Sequence, residues 1–453
     1  MKKSNSLRLR VLSEEETEQI HRTALRVLGE IGMDVQDEET RKRLKEMGCR
    51  EGGDGYLLFG PELVARSLAT VPPSLTLYDR NGNVAVNTGD GRPRFSPGTG
   101  CLNILDYRTG VHRPFLLEDI VRTARVCDRL SNIDLVLSLG APSDVPPQQE
   151  AIRTVRAMVE HTGKPLAFLG HNEKETGQVW QFLADVAGGW QALSQRPFGM
   201  DLTGPTSPLR LGEEACRRLR FAAKRSLPVV CFPAVMPGAT APMTLAGALA
   251  QTAAEILGGI VVHQMEGPGA PVMSGAAIIP MDMRTGSICY GSPEYGLVCL
   301  ATADYFSDIG VPSWSGSGCS DAHTVDSQAA AEAGMNMVMS VLMGTGLTHN
   351  LGFLSSGKTG SLEMLVLCDE LAGMVSRIAG GIAVDEERLA YRVIRDAGKK
   401  GAFISSNHTL EHARTEMWTP SLLCRVPLAQ WTESGSKTMH ERTREKLRDL
   451  LGE

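Results

Sequence analysis

Short apolar runs alternate with amphipathic helical patterns along most of this chain. Eight runs have the length and the glycine- or proline-containing flanks of buried parallel strands; they lie near 97–105, 133–140, 165–170, 198–203, 228–234, 271–278, 311–315 and 346–351. A helical pattern follows each run, near 117–130, 147–162, 173–187, 211–225, 243–264, 292–309, 326–343 and 361–378. An eight-stranded parallel sheet can close without leaving an edge strand, so the pattern predicts an α/β fold, a (β/α)8 TIM barrel.

The residues before and after this repeat have different patterns. Residues 14–32 place apolar side chains at helical spacing and end at glycines, and Asn81-Gly82 within an alternating run predicts a hairpin. We therefore divide the chain into an N-terminal α+β cap (1–95), a barrel (96–380) and a C-terminal helical extension (381–453).

Two of the predicted helices are unusually apolar. Helix 243–264 is apolar on nearly all sides, and helix 326–343 carries a single narrow polar stripe, Gln328, Glu332, Asn336 and Ser340. The pattern predicts that helix 326–343 is covered by its own barrel and by either a second copy of the chain or the C-terminal tail. We expect a homo-oligomer and leave burial beneath the cap open for 243–264.

Composition and charge narrow the class of protein. The chain has 453 residues, of which 42% are hydrophobic and 22% charged, and a net charge of -6, which is typical of a soluble globular protein. Without a long basic block it is not expected to bind nucleic acid. It has no apolar signal region and no run of eighteen apolar residues, and its ten cysteines have no paired spacing; these features predict a cytoplasmic protein away from membranes.

The common nucleotide, serine hydrolase and zinc motifs do not occur. The chain has no Walker loop, no GxGxxG after a strand, no GxSxG, no HExxH and no CxxC. We therefore expect no metal and no cofactor held by this chain. A metal site assembled from the dispersed His263, His323 and His349 is the alternative that stays open.

Polar and aromatic side chains gather instead at the predicted strand ends. The stretch 311–334, VPSWSGSGCSDAHTVDSQAAAEAG, contains a strand end, a glycine- and serine-rich turn and Asp326, a helix cap. The eighth strand leads into THNLGFLSSGKTGSLE. In a TIM barrel these loops share one face, where ligands bind. Each candidate there has a structural alternative, as a core aromatic, a core histidine or a carboxylate at a helix start.

Four segments resemble the trimethylamine methyltransferase family of corrinoid-dependent methyltransferases. They are 247–275, 290–306, 318–334 and 349–375, preceded by a matching N-terminal segment, 12–35. The family resemblance covers nearly the whole chain. Members that act on trimethylamine read a pyrrolysine, whereas this chain has only standard residues. It therefore resembles the branch that demethylates quaternary amines such as glycine betaine, proline betaine and carnitine.

The resemblance implies methyl transfer from a quaternary amine to the Co(I) of a corrinoid (cobalamin) bound to a partner protein. No D-x-H-x-x-G pattern, which would resemble a base-off corrinoid site, occurs here. A cation of this kind needs aromatic rings and a few polar groups, and we predict a substrate site of Trp314, Tyr295, Tyr305, Phe353, Asn350 and Asp201. The predicted catalytic residues are His323, His349 and Glu363.

Two other classes of function stay open. A barrel lyase or decarboxylase of the uroporphyrinogen decarboxylase type would need arginines at the barrel mouth to hold several carboxylates. A non-catalytic betaine-binding protein would bind the same ligands without methyl transfer.

Overall fold

Seven parallel strands form the central sheet of the computed structural model, which describes residues 8–275, 277–398 and 401–453. Their spatial order is Phe95–Pro97, Leu347–Leu351, Ser313–Gly316, Val272–Gly275, Val229–Cys231, Gly199–Thr203 and Leu166–Phe168. Every neighbouring pair is parallel, as expected when each strand is followed by a helix that returns to the other end of the sheet.

An irregular segment closes the sheet into a barrel. The amide of Asp134 donates to the carbonyl of Phe95 over 2.8 Å, and Val136 pairs in parallel with Leu166. Residues 133–140 thus lie between the two outer strands, in the place predicted for the second strand. The (β/α)8 barrel is confirmed, with one irregular member.

The predicted strand 97–105 is wrong as a single element. The barrel strand ends at Pro97, and Asn103–Leu105 belongs to a separate four-stranded sheet with His112–Pro114, Phe353–Leu354 and Thr359–Gly360. Gly100, with φ of +85°, lies between the two strands, so the chain turns out of the barrel within the predicted strand.

Helices cover the outside of the barrel, and several begin at the capping residues that the sequence suggests. Asp326 accepts hydrogen bonds from the amides of Gln328 and Ala329, so its predicted capping role is confirmed; Ser292 and Ser361 cap in the same way. The outer helices are Leu117–Arg129, Glu150–His161 after the 3-10 turn Pro147–Gln149, Glu173–Ala187, Trp190–Gln195, Glu213–Lys224, Leu245–Glu266, Pro293–Asp308, Ser327–Met343 and Leu362–Ala379.

The interior of the barrel is packed with apolar side chains. Met200, Leu202, Val230, Met273 and Trp314 belong to one buried cluster. The hairpin of Thr76–Tyr78 and Val84–Asn87 adds three more side chains to that cluster, Leu75, Leu77 and Val86. Because the Tyr78 amide donates to the carbonyl of Pro197, just before a barrel strand, this hairpin closes the amino end of the barrel.

The cap precedes the barrel and lies on one of its helices. Its elements are Glu14–Arg26, the π-helical turn Val27–Ile31, Asp34–Val35, Glu38–Glu46, Arg50–Glu51, Leu57–Leu58, Pro61–Leu68 and the hairpin. Glu14–Arg26 and Pro61–Leu68 pack on Leu245–Glu266. That helix is long and apolar enough to cross a membrane, but 78% of its apolar window is buried in the fold. The cap of the same chain therefore accounts for its apolar surface.

Short strands and the extension complete the structure. The remaining strands are Arg210–Leu211, Ala234–Val235, Ala277–Ile278, Met281–Asp282 and Ser287–Ile288. The extension forms Glu386–Leu389, Tyr391–Ala397, Asn407–Glu416, Leu428–Glu433 and Met439–Leu451. The last of these helices packs on Leu362–Ala379 and Leu117–Arg129, so the chain ends against the barrel.

Candidate functional site

A cavity of about 720 Å³ lies at the carboxyl ends of the barrel strands. Thr99, Thr203, Phe232, Ala277 and His349, which lie at or just after five strand ends, are among its lining residues. It lies at the end of the barrel opposite the hairpin, where TIM-barrel enzymes hold their substrates.

Three aromatic rings give the cavity apolar walls. Tyr290 and Phe353 meet edge to face with centroids 6.1 Å apart, and Phe232 lies on another part of the lining. A β-carbon at Gly98 would lie 2.0 Å from the ring of Phe353, and one at Gly275 would lie 2.6 Å from the ring of Phe232. Two of the rings thus lie directly on the backbone, a position that requires glycine beneath them.

His349 is a neutral hydrogen-bond acceptor at the wall of this cavity. Its Nδ1 donates to the carbonyl oxygen of Ser315 over 2.9 Å, which leaves Nε2 with a lone pair. The imidazole packs edge to face between Phe232, at 5.5 Å, and Trp314, at 5.0 Å. Burial lowers the pKa of His349 to about 4, so the ring carries no charge near pH 7.

The strand that carries His349 is irregular where it reaches the cavity. Its register shifts between Thr348 and Leu351, and Asn350 has a φ of +80°. Bulges and left-handed residues are often found next to active sites, where they redirect side chains. Asn350 Nδ2 donates to the hydroxyl of Tyr295 over 3.4 Å, and its Oδ1 remains available for a ligand.

Thr203 adds a hydroxyl to the same cavity. Its Oγ1 is buried and has no hydrogen-bond partner within the part of the chain that the structure describes. A buried hydroxyl without a partner is unfavourable. A ligand with a polar group would supply that partner.

Three of the nine predicted site residues line the cavity: His349, Asn350 and Phe353. Two more lie directly behind the lining. Tyr295 is buried on Pro293–Asp308 and contacts Asn350, and Trp314 is buried inside the barrel against His349. These two side chains support lining residues and are outside the lining itself.

Two predicted residues are ion-paired and are not part of the cavity lining. Asp201 is fully buried and points out of the barrel to Arg218, because its neighbours Met200 and Leu202 occupy the interior. Glu363 pairs with Arg444 of the last helix over 2.8 Å. Both carboxylates therefore have partners within the fold.

The other two predicted residues are also outside the lining. His323 is exposed, with its Nδ1 2.9 Å from the hydroxyl of Ser355. Tyr305 hydrogen-bonds His21 of the cap over 2.9 Å. It lies late in Pro293–Asp308, a helix that runs from the mouth back to the amino end of the barrel, so its ring is remote from the cavity.

Tyr290 and Phe232 were not among the predicted site residues. Phe232 directly follows Val229–Cys231, so its place at a strand end could have been read from the sequence. Tyr290 is positioned by Asp321, whose carboxylate accepts from the amides of Tyr290 and Gly291, each over 2.9 Å. Because Asp321 lies about thirty residues after Tyr290 in the sequence, no local sequence pattern indicates this contact.

The described side chains form no cluster of three or more His, Cys, Asp or Glu residues that could hold a metal ion. Of the dispersed histidines, His263 lies at the carboxyl end of Leu245–Glu266 beside Gln264, which is the amino end of the barrel. His349 lies at the mouth. The structure therefore separates these two potential ligands.

Buried neutral histidines should make the protein sensitive to mild acid. Burial lowers the pKa of His349 to about 4 and that of His263 to about 3, below the value of about 6.5 in an unfolded chain. Below pH 6.5 the unfolded state therefore binds protons that the folded state excludes. Stability falls as pH falls, by about 2 kcal/mol per histidine between pH 7 and pH 5.

Urea unfolding of His263→Gln at the two pH values tests this expectation. Between pH 7 and pH 5 the free energy of unfolding of the variant should fall by about 2 kcal/mol less than that of the wild type. Gln195→Asn, which changes an exposed side chain that does not titrate, is the control and should keep the wild-type difference. An equal loss in all three proteins would contradict the assignment.

Proteins of known activity align with almost all of this chain. Residues 2–453 match the family model described as trimethylamine methyltransferase. The trimethylamine methyltransferase of Desulfitobacterium hafniense strain DCB-2 is 30% identical and aligns over 97% of this chain and 88% of its own length. The glycine betaine methyltransferase of Desulfitobacterium hafniense strain Y51 is 30% identical and aligns over 94% of this chain and 89% of its own length.

A solved structure has a similar fold. The monomethylamine methyltransferase of Methanosarcina barkeri covers 99% of this chain and 96% of its own, with a TM-score of 0.51 and 12% sequence identity. At this identity the similarity concerns the fold alone.

Proposed function

The chain belongs to the trimethylamine methyltransferase family, and we propose that it transfers a methyl group from a betaine-like quaternary amine to the Co(I) of a corrinoid on a separate protein. The observation that supports this best is the aromatic cavity at the barrel mouth, lined by Phe232, Tyr290 and Phe353. Aromatic faces attract quaternary ammonium ions, by about 0.5–2 kcal/mol for each contact.

The charges around the cavity also favour a cation. His349 is neutral. Arg218 is the only lysine or arginine among the described lining residues, and it is paired with the buried carboxylate of Asp201. Glu214 contributes negative charge to the lining, whereas the carboxylate of Glu213 is paired with Arg217. A cation entering from solvent therefore meets no free positive group.

The same arrangement weakens the decarboxylase alternative. Gripping several carboxylates requires free guanidinium groups, whereas Arg218 already donates to Asp201 and to the carbonyls of Gly170 and Leu202. A betaine carboxylate would instead meet the neutral hydroxyl donor of Thr203.

The chemistry needs little from this chain beyond orientation. When a quaternary amine loses a methyl group, the carbon–nitrogen bond breaks and its electron pair stays on nitrogen, which leaves as a neutral tertiary amine. Co(I) provides the electron pair of the new bond. No acid is required, so the cavity has to hold the methyl group in line and exclude water.

The rim of the mouth is suited to a docked protein acceptor. Leu169, Met243 and Met283 are exposed on loops that follow three of the barrel strands. Met243 and Met283 both lie beside Gly238, and exposed apolar residues that lie together favour protein contacts. A cytoplasmic setting fits the ten free cysteines.

The proposal is tested by incubating the purified chain with free cob(I)alamin and a panel of betaines, carnitine and choline. We expect methylcobalamin to form, as followed by its absorbance, with at least one of these amines. Binding of an amine by calorimetry without any methylcobalamin would favour the binding-protein alternative.

Phe353→Leu should weaken binding of the preferred quaternary amine by about 0.5–2 kcal/mol, because leucine keeps bulk and removes the aromatic face. Calorimetry measures the change. Phe182→Leu is a matched control, since Phe182 is partly buried on an outer helix away from the lining. Equal dissociation constants for wild type and Phe353→Leu would remove Phe353 from the cation site.

A further inference from the structure

A smaller cavity of about 220 Å³ adjoins the substrate cavity, and we call it the side pocket. Thr99, Leu169 and His171 line both cavities, so the two spaces meet at these residues. The three aromatic rings that would surround the ammonium group line the larger cavity and not the side pocket. The side pocket is therefore available to another part of the same substrate.

The side pocket lies where the barrel wall is irregular. Ser138 and Gly140 line it, and they belong to the segment that makes only isolated bridges with its neighbours. Between them Leu139 has a φ of +65°, and its side chain lies against Gly360 and is not part of the lining. In a regular strand, side chains alternate between the two faces. Here the interruption leaves space between the wall and the helix Glu150–His161, which forms the other side of the pocket.

Most of the side pocket is apolar. Its apolar lining residues are Ala141, Ala151, Met158, Ala167, Phe168 and Leu169. At about 30 Å³ for each group the size of a water molecule, the pocket has room for roughly four to seven non-hydrogen atoms. Burying a methylene group in such a place raises affinity roughly fourfold, so an apolar part of a ligand would bind there favourably.

The polar groups of the side pocket favour an uncharged ligand. The hydroxyls of Thr99 and Ser138 lie 2.8 Å apart, and whichever donates, the other keeps its own proton for a ligand. The carboxylate of Glu150 lies 3.4 Å from Nε2 of His171, and no lysine or arginine is among the described lining residues. A negatively charged group would therefore lie beside a carboxylate without a free cation to offset it.

We propose that the side pocket holds an uncharged side chain on the carbon next to the ammonium nitrogen, so that the substrate is the trimethylated form of an α-amino acid larger than glycine. This inference rests on the proposed function, which places the ammonium group among the aromatic rings and a carboxylate at Thr203. Nitrogen, carboxylate and side chain diverge from one carbon atom, and the rings, Thr203 and the boundary residue Thr99 all line one cavity. Glycine betaine has only hydrogen on that carbon and would leave the side pocket empty.

Calorimetry with the full wild-type chain tests the size of the substrate. Glycine betaine is compared with N,N,N-trimethylnorleucine, which adds a four-carbon chain and is offered as both enantiomers. One enantiomer should bind more tightly than glycine betaine by about tenfold or more, because each buried methylene contributes roughly fourfold. The same enantiomer should yield methylcobalamin from free cob(I)alamin, leaving N,N-dimethylnorleucine as the neutral tertiary amine.

A second pair of ligands tests the charge of the side chain. N,N,N-Trimethylglutamine and N,N,N-trimethylglutamate have nearly the same shape and differ in charge. The glutamine compound should bind more tightly by about tenfold, since the glutamate compound would bring its carboxylate to Glu150.

Two variants that fill the side pocket locate the effect. Thr154 is half-buried, lines the side pocket and does not line the larger cavity. Thr154→Phe should bring the affinity ratio of trimethylnorleucine to glycine betaine close to one. Ala151→Leu fills the pocket by a smaller change and should also lower the ratio. Arg153→Phe is the matched control, because it places a ring at an exposed position of the same helix, and it should keep the wild-type ratio. Circular dichroism checks the fold of all three.

The outcomes separate this inference from the proposed function. If trimethylnorleucine bound no more tightly than glycine betaine, or if both filling variants kept the wild-type ratio, the side pocket would have no role, although methylcobalamin formed from another quaternary amine would still support the proposed function. Tighter binding of trimethylglutamate than of trimethylglutamine would overturn the uncharged side chain. If no quaternary amine bound or yielded methylcobalamin, both proposals would be wrong.

Discussion

Replacing Asp201 with leucine should lower the free energy of unfolding by about 3–5 kcal/mol, the usual cost of breaking a buried ion pair from one side. Asp201 is fully buried and its partner Arg218 is only 6% exposed. Without the carboxylate, the guanidinium charge would remain inside the barrel wall with only backbone carbonyls as partners. The variant should also disturb the cavity lining, because Arg218 donates to the carbonyl of Leu202, the residue before Thr203.

Urea unfolding of three variants measures the effect. Asp201→Leu with Arg218→Met should recover most of the lost stability, since the pair is then replaced by apolar side chains of similar size. Asp282→Asn is the control: its partner Arg284 is 89% exposed, and exposed pairs contribute about 0–1 kcal/mol. If Asp201→Leu lowered the free energy of unfolding no more than Asp282→Asn does, the Asp201–Arg218 pair would not stabilise the fold.

The barrel could be predicted because its strands are buried on both faces and appear as apolar runs with helical patterns between them. The apolar pattern does not predict the sheet where the hydrogen-bond geometry is irregular. Residues 133–140 have the apolar pattern of a strand but make only isolated bridges, and Asn103–Leu105 continues the apolar run of Phe95–Pro97 in a different sheet. The pattern of apolar residues indicates which segments are buried. It does not indicate which strand a segment pairs with.

The site could be predicted only where position along a strand fixes position in space. His349, Asn350 and Phe353 follow one strand end and lie together at the cavity. Tyr305 was placed by residue type alone, and its location late in a returning helix puts it at the opposite end of the barrel. Asp201 could have been read correctly, because Met200 and Leu202 on either side of it are apolar and face inward.

Trimethylamine is expected to give no detectable methylcobalamin under conditions in which a betaine-like amine is demethylated. A quaternary nitrogen carries its charge permanently and leaves as a neutral amine. The free form of a tertiary amine would have to leave as an anion. Its protonated form would bring an N–H group into the aromatic cavity, where desolvation is unfavourable unless an acceptor such as His349 Nε2 compensates.

A tertiary amine could be activated by a side chain that bonds to its nitrogen and makes it quaternary. That requires an electrophile, and the described cavity lining offers hydroxyls, amides, imidazoles, carboxylates, aromatic rings and the guanidinium of Arg218, none of which forms a bond to an amine nitrogen. The sequence contains only standard residues, so the pyrrolysine associated with trimethylamine in this family has no counterpart here.

One assay with free cob(I)alamin decides between the two classes of amine. Trimethylamine, glycine betaine, carnitine and choline are compared at equal concentration, and Phe353→Leu is included as a variant with a weakened cation site. Transfer should occur from at least one quaternary amine, should fall in Phe353→Leu when the amine is not saturating, and should be absent from trimethylamine. Faster transfer from trimethylamine than from every quaternary amine would overturn the substrate class, because the cavity would then activate a tertiary amine with standard side chains alone.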